Sequence, residues 1–167
     1  MYNDENDEIV SEQETGSDDL LAADDLRLPE SANILVRLHA LRAWLDRRYA
    51  ETELEIGVAA LDLQEAMRES ESRPRRRINQ NDSLFQRTQQ ALVAAQQSLS
   101  AYDEARSLLE DCVAHTTTGE RLLVEFYLAL EELIEASNDS ADPSWRSAMT
   151  DVLHRVEQVS TPGGEGE

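Results

Sequence analysis

The chain has 167 residues, enough for one domain with flanking segments. It carries 35 acidic and 15 basic residues, a net charge of −20. This charge disfavours general nucleic-acid binding, because affinity for phosphates is supplied by cationic side chains. No apolar run approaches the ~20 residues that a membrane-spanning helix needs. We therefore expect a soluble protein that does not enter the membrane.

The basic residues are all arginine, so the chain is lysine-free. Codon usage in a high-GC genome is one interpretation of this bias. The other is a halophilic protein, in which excess carboxylates maintain hydration while salt screens their mutual repulsion. The second interpretation requires helicity to fall in low-salt buffer. The composition leaves both open.

Cys112 is the only cysteine, so no disulfide can form within the chain. The first residues lack the basic, then apolar, then small-residue progression of a signal peptide. Both observations favour a cytoplasmic protein in a reducing compartment.

Residues 1–29 are expected to form an acidic, mostly disordered tail. Residues 1–26 contain ten acids and no base, and Pro29 ends any short helix around Leu20. The tail is interpreted as a solubilising arm or as a competitor for basic partners.

The first long helix is predicted from near Ser31 to about Ser70. Its apolar stripe advances in steps of three and four residues and recurs every eleven, a period typical of a nearly straight helix. The stripe comprises Ile34, Leu38, Leu41, Leu45, Tyr49, Thr52, Ile56, Ala60, Leu63 and Met67.

Residues 71–82 interrupt this pattern and are predicted to form the tip of a helical hairpin. Pro74 cannot continue a helix, and Asn81 and Asp82 are natural turn and cap residues. A second long helix is predicted from near Ser83, with a heptad stripe that continues past residue 116. The three threonines and Gly119 at residues 116–119 favour a break there, although the unbroken phase also allows one kinked helix.

Two shorter helices are predicted to follow. The first has an apolar face wide enough to pack against two neighbours and is the candidate centre of the core. The second begins with Asp142 as N-cap and Pro143 in the first helical position. Pro162 ends it, and residues 161–167 form a flexible acidic tail. The apolar face comprises Leu122, Leu123, Phe126, Tyr127, Leu130, Leu133 and Ile134.

The predicted architecture is therefore all-α: an elongated antiparallel helical bundle over residues 30–160, with a coiled-coil-like long hairpin plus two shorter helices. A hairpin of this length has difficulty covering both its faces alone, so we expect a homodimer.

Positive charge is concentrated at the predicted tip, in Arg73, Arg75, Arg76 and Arg77. Exposed arginines can clamp phosphates or carboxylates. A solvated loop, or a local partner for the acidic tail, is the competing interpretation. No aromatic residue lies among these arginines to stack on bases.

Arg106 falls on a core position of the heptad stripe. Buried there, it would need a carboxylate partner and could fix the register of the helices. At the edge of the bundle, its guanidinium would instead reach solvent.

No catalytic, cofactor-binding or metal-ligating residues are predicted. His39, His115 and His154 are scattered, and the Asp111–His115 pair has too few companions for a metal site. Phosphate-binding loops and nucleophile motifs are absent from the sequence.

We therefore expect a non-enzymatic structural or adaptor protein that acts through helix-mediated protein–protein interaction, including self-association. The alternative is a regulatory nucleic-acid-associated factor that uses the arginine-rich tip, with the acidic tail as competitor.

Overall fold

The computed structural model describes residues 33–72, 78–137 and 140–160. These residues form four α-helices and, within these three ranges, no strand. The helices are α1 (Ile34–Ser72), α2 (Ile78–His115), α3 (Gly119–Ala136) and α4 (Pro143–Ser160). The prediction of an all-helical bundle is confirmed. None of the four has the combination of length and apolar character needed to cross a membrane.

The long hairpin is formed by α1 and α2. Its tip is narrower than the predicted 71–82, because α1 continues to Ser72 and α2 begins at Ile78 rather than near Ser83. Asn81 and Asp82, predicted as turn and cap residues, therefore lie within α2 rather than in the connection before it. The coiled-coil geometry expected from the heptad pattern stays a prediction.

The second long segment breaks where the threonines lie. Helix α2 ends at His115, and α3 begins at Gly119. Thr118 has an extended backbone, with φ −124° and ψ 138°, so the chain leaves the helical path just before α3. β-Branched side chains lose rotamer freedom in a helix, which makes this run a natural place to turn the chain. The break allows α3 to fold back beside α1 and α2.

Helix α4 begins as its sequence predicts. The amide of Ser144 donates a 2.8 Å hydrogen bond to Oδ1 of Asp142, the N-cap, and Pro143 occupies the first helical position. This bond satisfies one of the amides that a helix N-terminus leaves without an intrahelical partner. The start of α4 is thereby fixed within a short connection from α3.

The four helices run alternately up and down. Arg37 near the start of α1 donates a 3.1 Å hydrogen bond to the carbonyl of Val159 at the end of α4, and Arg48 lies 3.8 Å from the Asp151 carboxylate. These contacts make α4 antiparallel to α1. Helix α3 begins beside the start of α1, because Gly119 lies against Ile34. The result is an up-down-up-down bundle.

The core lies at one end of the hairpin. All four helices contribute to it, and α3 and α4 carry most of their apolar residues into it, as the wide stripe of α3 predicts. Burial of side chains of this size supplies most of the favourable free energy of folding. The largest fully buried side chains are Leu41, Leu45, Phe126, Leu130, Met149, Val152 and Val156.

The four helices differ in length by a factor of two. Helix α1 has 39 residues and a length of about 58 Å, whereas α3 and α4 have 18 residues each and a length of about 27 Å. The two short helices therefore cover only the half of the hairpin that contains the open ends of α1 and α2. We call this the proximal half, and the half toward residues 72–78 the distal half.

Gly119 allows the close approach of α3 to α1. A Cβ atom on Gly119 would lie 2.7 Å from Cγ1 and 3.1 Å from Cγ2 of Ile34. Alanine is favoured over glycine in a helix by about 1 kcal/mol, but this contact is shorter than van der Waals packing permits. We expect Gly119→Ala to lower the free energy of unfolding, measured by urea denaturation.

The control is the double variant Gly119→Ala, Ile34→Ala. Its loss of stability should be smaller than the sum of the two single losses, because the truncated Ile34 no longer meets the new methyl group. A Gly119→Ala protein more stable than the wild type would show that helix propensity outweighs the contact.

Candidate functional site

The predicted anion-binding arginines lie outside the described residues. Arg73, Arg75, Arg76 and Arg77 all fall between the end of α1 and the start of α2. Their role in contacting an anion or a partner stays a prediction.

Arg106 lies at the edge of the interface between α1 and α2. Its Nε atom is 2.9 Å from Oδ1 of Asp46, and its side chain is about one-third exposed. The guanidinium also lies 4.6 Å from the centre of the Tyr49 ring, within the range of a cation–π contact. Arg106 thus pairs with a carboxylate and lies at the edge of the bundle. Its role in setting the register of α1 and α2 stays a prediction.

Two grooves follow the hairpin. The proximal groove has a volume of about 280 Å³ and lies where α1 begins and α2 ends. Two ion pairs join α1 to α2 along it: Arg42 with Glu110 at 3.4 Å, and Asp46 with Arg106. Its charged lining residues are therefore largely paired with each other. The lining residues are Leu35, Leu38, His39, Arg42, Leu45, Asp46, Arg106, Leu109, Glu110 and Val113.

The distal groove begins where α4 begins. It has a volume of about 500 Å³, and Ser144 closes one end of it. Helix α1 forms one wall with three apolar and two acidic side chains, and α2 forms the other with small residues. The lining residues are Leu54, Glu55, Val58, Ala59, Asp62, Thr88, Ala91, Ala94, Ala95, Ser98 and Ser144.

The apolar residues beside the distal groove are largely exposed. Leu54 is 73% exposed, Val58 is 59% exposed and Leu61, one turn further on, is 66% exposed. Their spacing of four and three residues places them on one side of α1. Exposed apolar residues that form a continuous surface mark interaction sites more often than isolated ones do.

The sequence prediction missed this second stripe. Leu54, Val58 and Leu61 lie off the eleven-residue stripe, and the signal that reveals them is their own helical spacing. Met67 was assigned to the first stripe but is also exposed. It lies in the distal half, beyond the reach of α3 and α4.

The histidines and the cysteine do not converge. Within 33–72, 78–137 and 140–160, no three His, Cys, Asp or Glu side chains are arranged to hold a metal ion. Nδ1 of His115 lies 2.7 Å from the backbone oxygen of Asp111, so the predicted pair meets through the main chain. Burial raises the pKa of the Cys112 thiol, with added repulsion from Glu125 and Asp111. Cys112 is therefore a poor nucleophile at neutral pH.

Arginine and aromatic side chains line the seam between α1 and α4. The Trp44 and Tyr102 rings meet edge to face, with centroids 6.3 Å apart. Arg155 of α4 lies 6.0 Å from the Trp44 ring centre, and Arg48 lies 5.8 Å from that of Tyr102. The first and last of these contacts join α1 to α2, and the contact of Arg155 with Trp44 joins α4 to the hairpin.

Hydrogen bonds shift the pKa values of two groups on α3. Thr116 and then Arg121 donate hydrogen bonds to Glu125, and both lower the pKa of that carboxyl. The hydroxyl of Tyr127 is within hydrogen-bonding reach of Glu131 and, at 3.2 Å, of Glu157 on α4, so its single proton is shared between two carboxylates. These bonds stabilise the protonated phenol and raise the pKa of Tyr127 to about 12.

The chain matches no protein-family model, no curated protein and no solved structure.

The register hypothesis for Arg106 predicts that Arg106→Leu loosens the alignment of α1 and α2. The guanidinium can meet both Asp46 and Tyr49 in only one axial position. We expect the distance distribution between spin labels on the exposed faces of α1 and α2 to broaden. The free energy of unfolding should fall by about 1 kcal/mol or less, because the ion pair is partly exposed.

Arg42→Leu is the matched control, since it removes the more exposed ion pair with Glu110. If the distance distribution of Arg106→Leu is as narrow as those of the wild type and of Arg42→Leu, the register role of Arg106 is wrong.

The raised pKa of Tyr127 predicts an alkaline titration step. Its unfolded pKa is about 10, so the interaction stabilises the fold below pH 10 and is lost as pH rises through about 12. The phenolate absorbance step near pH 12 should vanish in Tyr127→Phe. It should move to lower pH in Glu131→Gln, which retains the phenol. Survival of the step in Tyr127→Phe would assign it to another tyrosine.

Proposed function

We propose that this protein is a non-enzymatic adaptor that acts through helix-mediated protein–protein interaction. The observation that carries the proposal is the uncovered distal half of the α1–α2 hairpin, with exposed Leu54, Val58 and Leu61 beside an open groove. An apolar helix face is stabilised by burial against another element. On the proximal half, α3 and α4 provide that cover. On the distal half, we infer that a partner does.

The charge of the chain supports a role in partner selection. The ten acids in residues 1–26 lie beyond the described helices and disfavour acidic partners by repulsion. Complementary charge increases association rates and suppresses wrong partners more than it adds affinity. The acidic segment also keeps a protein with exposed apolar residues in solution. The lone, half-buried Cys112 fits a reducing cytoplasm, which we propose as the compartment.

Self-association is the other form that this interaction can take. The sequence predicts a homodimer, whose mass would be about twice the 18.8 kDa of one chain. The nucleic-acid alternative rests on Arg73, Arg75, Arg76 and Arg77, and none of the described residues adds support for it. The crosslinking experiment described next tests both self-association and nucleic-acid binding.

The proposal is tested by placing a photo-crosslinking amino acid at Leu61 in the source cells. Leu61 lies beside the distal groove, and Leu128, exposed on α3, is the matched control position. We expect a defined crosslinked polypeptide from position 61 and none from position 128. The purified complex is then analysed for mass, protein composition and nucleic acid.

A second copy or another protein at position 61 supports the adaptor function and identifies the partner. A monomer that crosslinks to nothing at moderate salt would contradict it. Nuclease-sensitive nucleic acid without a protein partner would transfer the function to the arginine-rich tip.

A further inference from the structure

The distal groove continues the channel in which α4 lies. Helix α4 occupies the proximal part of the surface between α1 and α2, and its first turn, at Ser144, forms the end wall of the distal groove. Along its own seat α4 buries an apolar face at helical spacing: Trp145, Ala148, Met149, Val152, Val156 and Val159. The hairpin thus already accepts one amphipathic helix on this side.

The dimensions of the open part suit a second helix. The groove's lining residues on α1 run from Leu54 to Asp62, about 12 Å or two helical turns. Helix α1 continues beyond them to Ser72, so the stretch from Leu54 to its end is about 27 Å, the length of the 18-residue α4. Ala91, Ala94 and Ala95 line the α2 side, and such small side chains let a helix backbone approach closely. Leu54 and Val58 on the α1 side are available to pack against apolar residues of the occupant.

The charges along the channel change sign between its two parts. Where α4 lies, α1 supplies the cation Arg48, and α4 supplies the anion Asp151. In the distal groove, α1 supplies the anions Glu55 and Asp62. Among the described ion pairs, neither carboxylate has a cationic partner. An occupant that complements this groove therefore carries cations beside its apolar stripe.

A second copy of the chain is a poor match for this chemistry. Residues 53–71 of α1 contain six carboxylates and a single arginine, Arg68. Residues 83–98 of α2 offer only Arg87 as a cation. The other cations of a second copy's distal half lie in residues 73–77, Arg-Pro-Arg-Arg-Arg, which contain no apolar residue to pack against Leu54 and Val58. Pairing the stretches 53–71 of two copies would bring like charges together, which costs free energy across an interface. The charges favour a different protein.

We propose that the distal groove binds an amphipathic helix of a partner protein, with basic residues flanking its apolar stripe. This inference rests on the proposed adaptor function and specifies its surface and the chemistry of its partner. Leu54 and Val58 contact the apolar stripe, and Glu55 and Asp62 pair with the flanking cations. The partner helix lies end to end with α4.

The probe is a synthetic peptide of the length of α4, with leucines at alternating steps of three and four, lysines beside them and alanines elsewhere. A second peptide has glutamate in place of every lysine. Binding to the full-length protein is measured by calorimetry at about 0.15 M ionic strength. We expect saturable one-to-one binding of the lysine peptide only.

Two double variants distinguish peptide binding in the groove from an effect of the protein's overall charge. Leu54→Asp, Val58→Asp places acids in the groove. Val124→Asp, Leu128→Asp places the same charge on the outer face of α3, at residues 58% and 56% exposed. The groove variant should lose about tenfold or more in affinity although its net charge is more negative, and the α3 variant should bind like the wild type. Helical circular dichroism verifies that both variants fold.

A third variant, Glu55→Gln, Asp62→Asn, should weaken binding and reduce its salt dependence. Three results would overturn the proposal: equal binding of the lysine peptide by the groove variant and the wild type, no binding by the wild type, or a wild-type dimer that only the groove variant dissociates. The last result would assign the groove to a second copy. If the lysine peptide does not bind while position 61 still crosslinks to another protein, the adaptor function is supported and this inference is wrong.

Discussion

The mismatch between two long helices and two short ones determines the rest of this structure. Helices α1 and α2 have 39 and 38 residues, and α3 and α4 have 18 each. An apolar helix face is stable only when another element covers it, so the core forms where all four helices overlap. There Phe126, Leu41 and Met149 are fully buried. Beyond that overlap, no other helix among residues 33–72, 78–137 and 140–160 covers the hairpin, and apolar residues such as Leu54 and Val58 are exposed.

Most of the helical architecture could be predicted from the sequence, because local rules determine it. Pro143 and Asp142 specify the start of α4, since their preferences depend only on the nearest turn. The threonine run before Gly119 indicated the break between α2 and α3 for the same reason. The wide apolar face of α3 placed Phe126 and Leu130 in the core, since a helix apolar on several sides has several neighbours.

The extent of burial could not be predicted in the same way. Periodicity identifies an apolar face but gives no information about which element covers it or over what length of the helix. Met67 belongs to the predicted stripe of α1, yet it is 47% exposed because α3 and α4 do not reach it. Cross-hairpin pairs such as Arg42 with Glu110 depend on the alignment of residues 68 positions apart. Leu54 and Val58 could not be identified as candidate binding residues from the sequence, because the groove beside them is formed by tertiary packing.

The concentration of buried side chains at one end divides the molecule into two regions of unequal local stability. In the proximal half, opening any one helix exposes a core shared with the other three, so its backbone amides exchange with solvent only in near-global unfolding. In the distal half, opening breaks contacts between α1 and α2 alone, so we expect its amides to exchange through local opening that leaves the core intact. A ligand that orders the distal half must offset the conformational entropy that this half loses, which reduces its affinity and favours rapid release. On the proposed function, a partner would therefore bind and leave at the distal end while the proximal core stays folded.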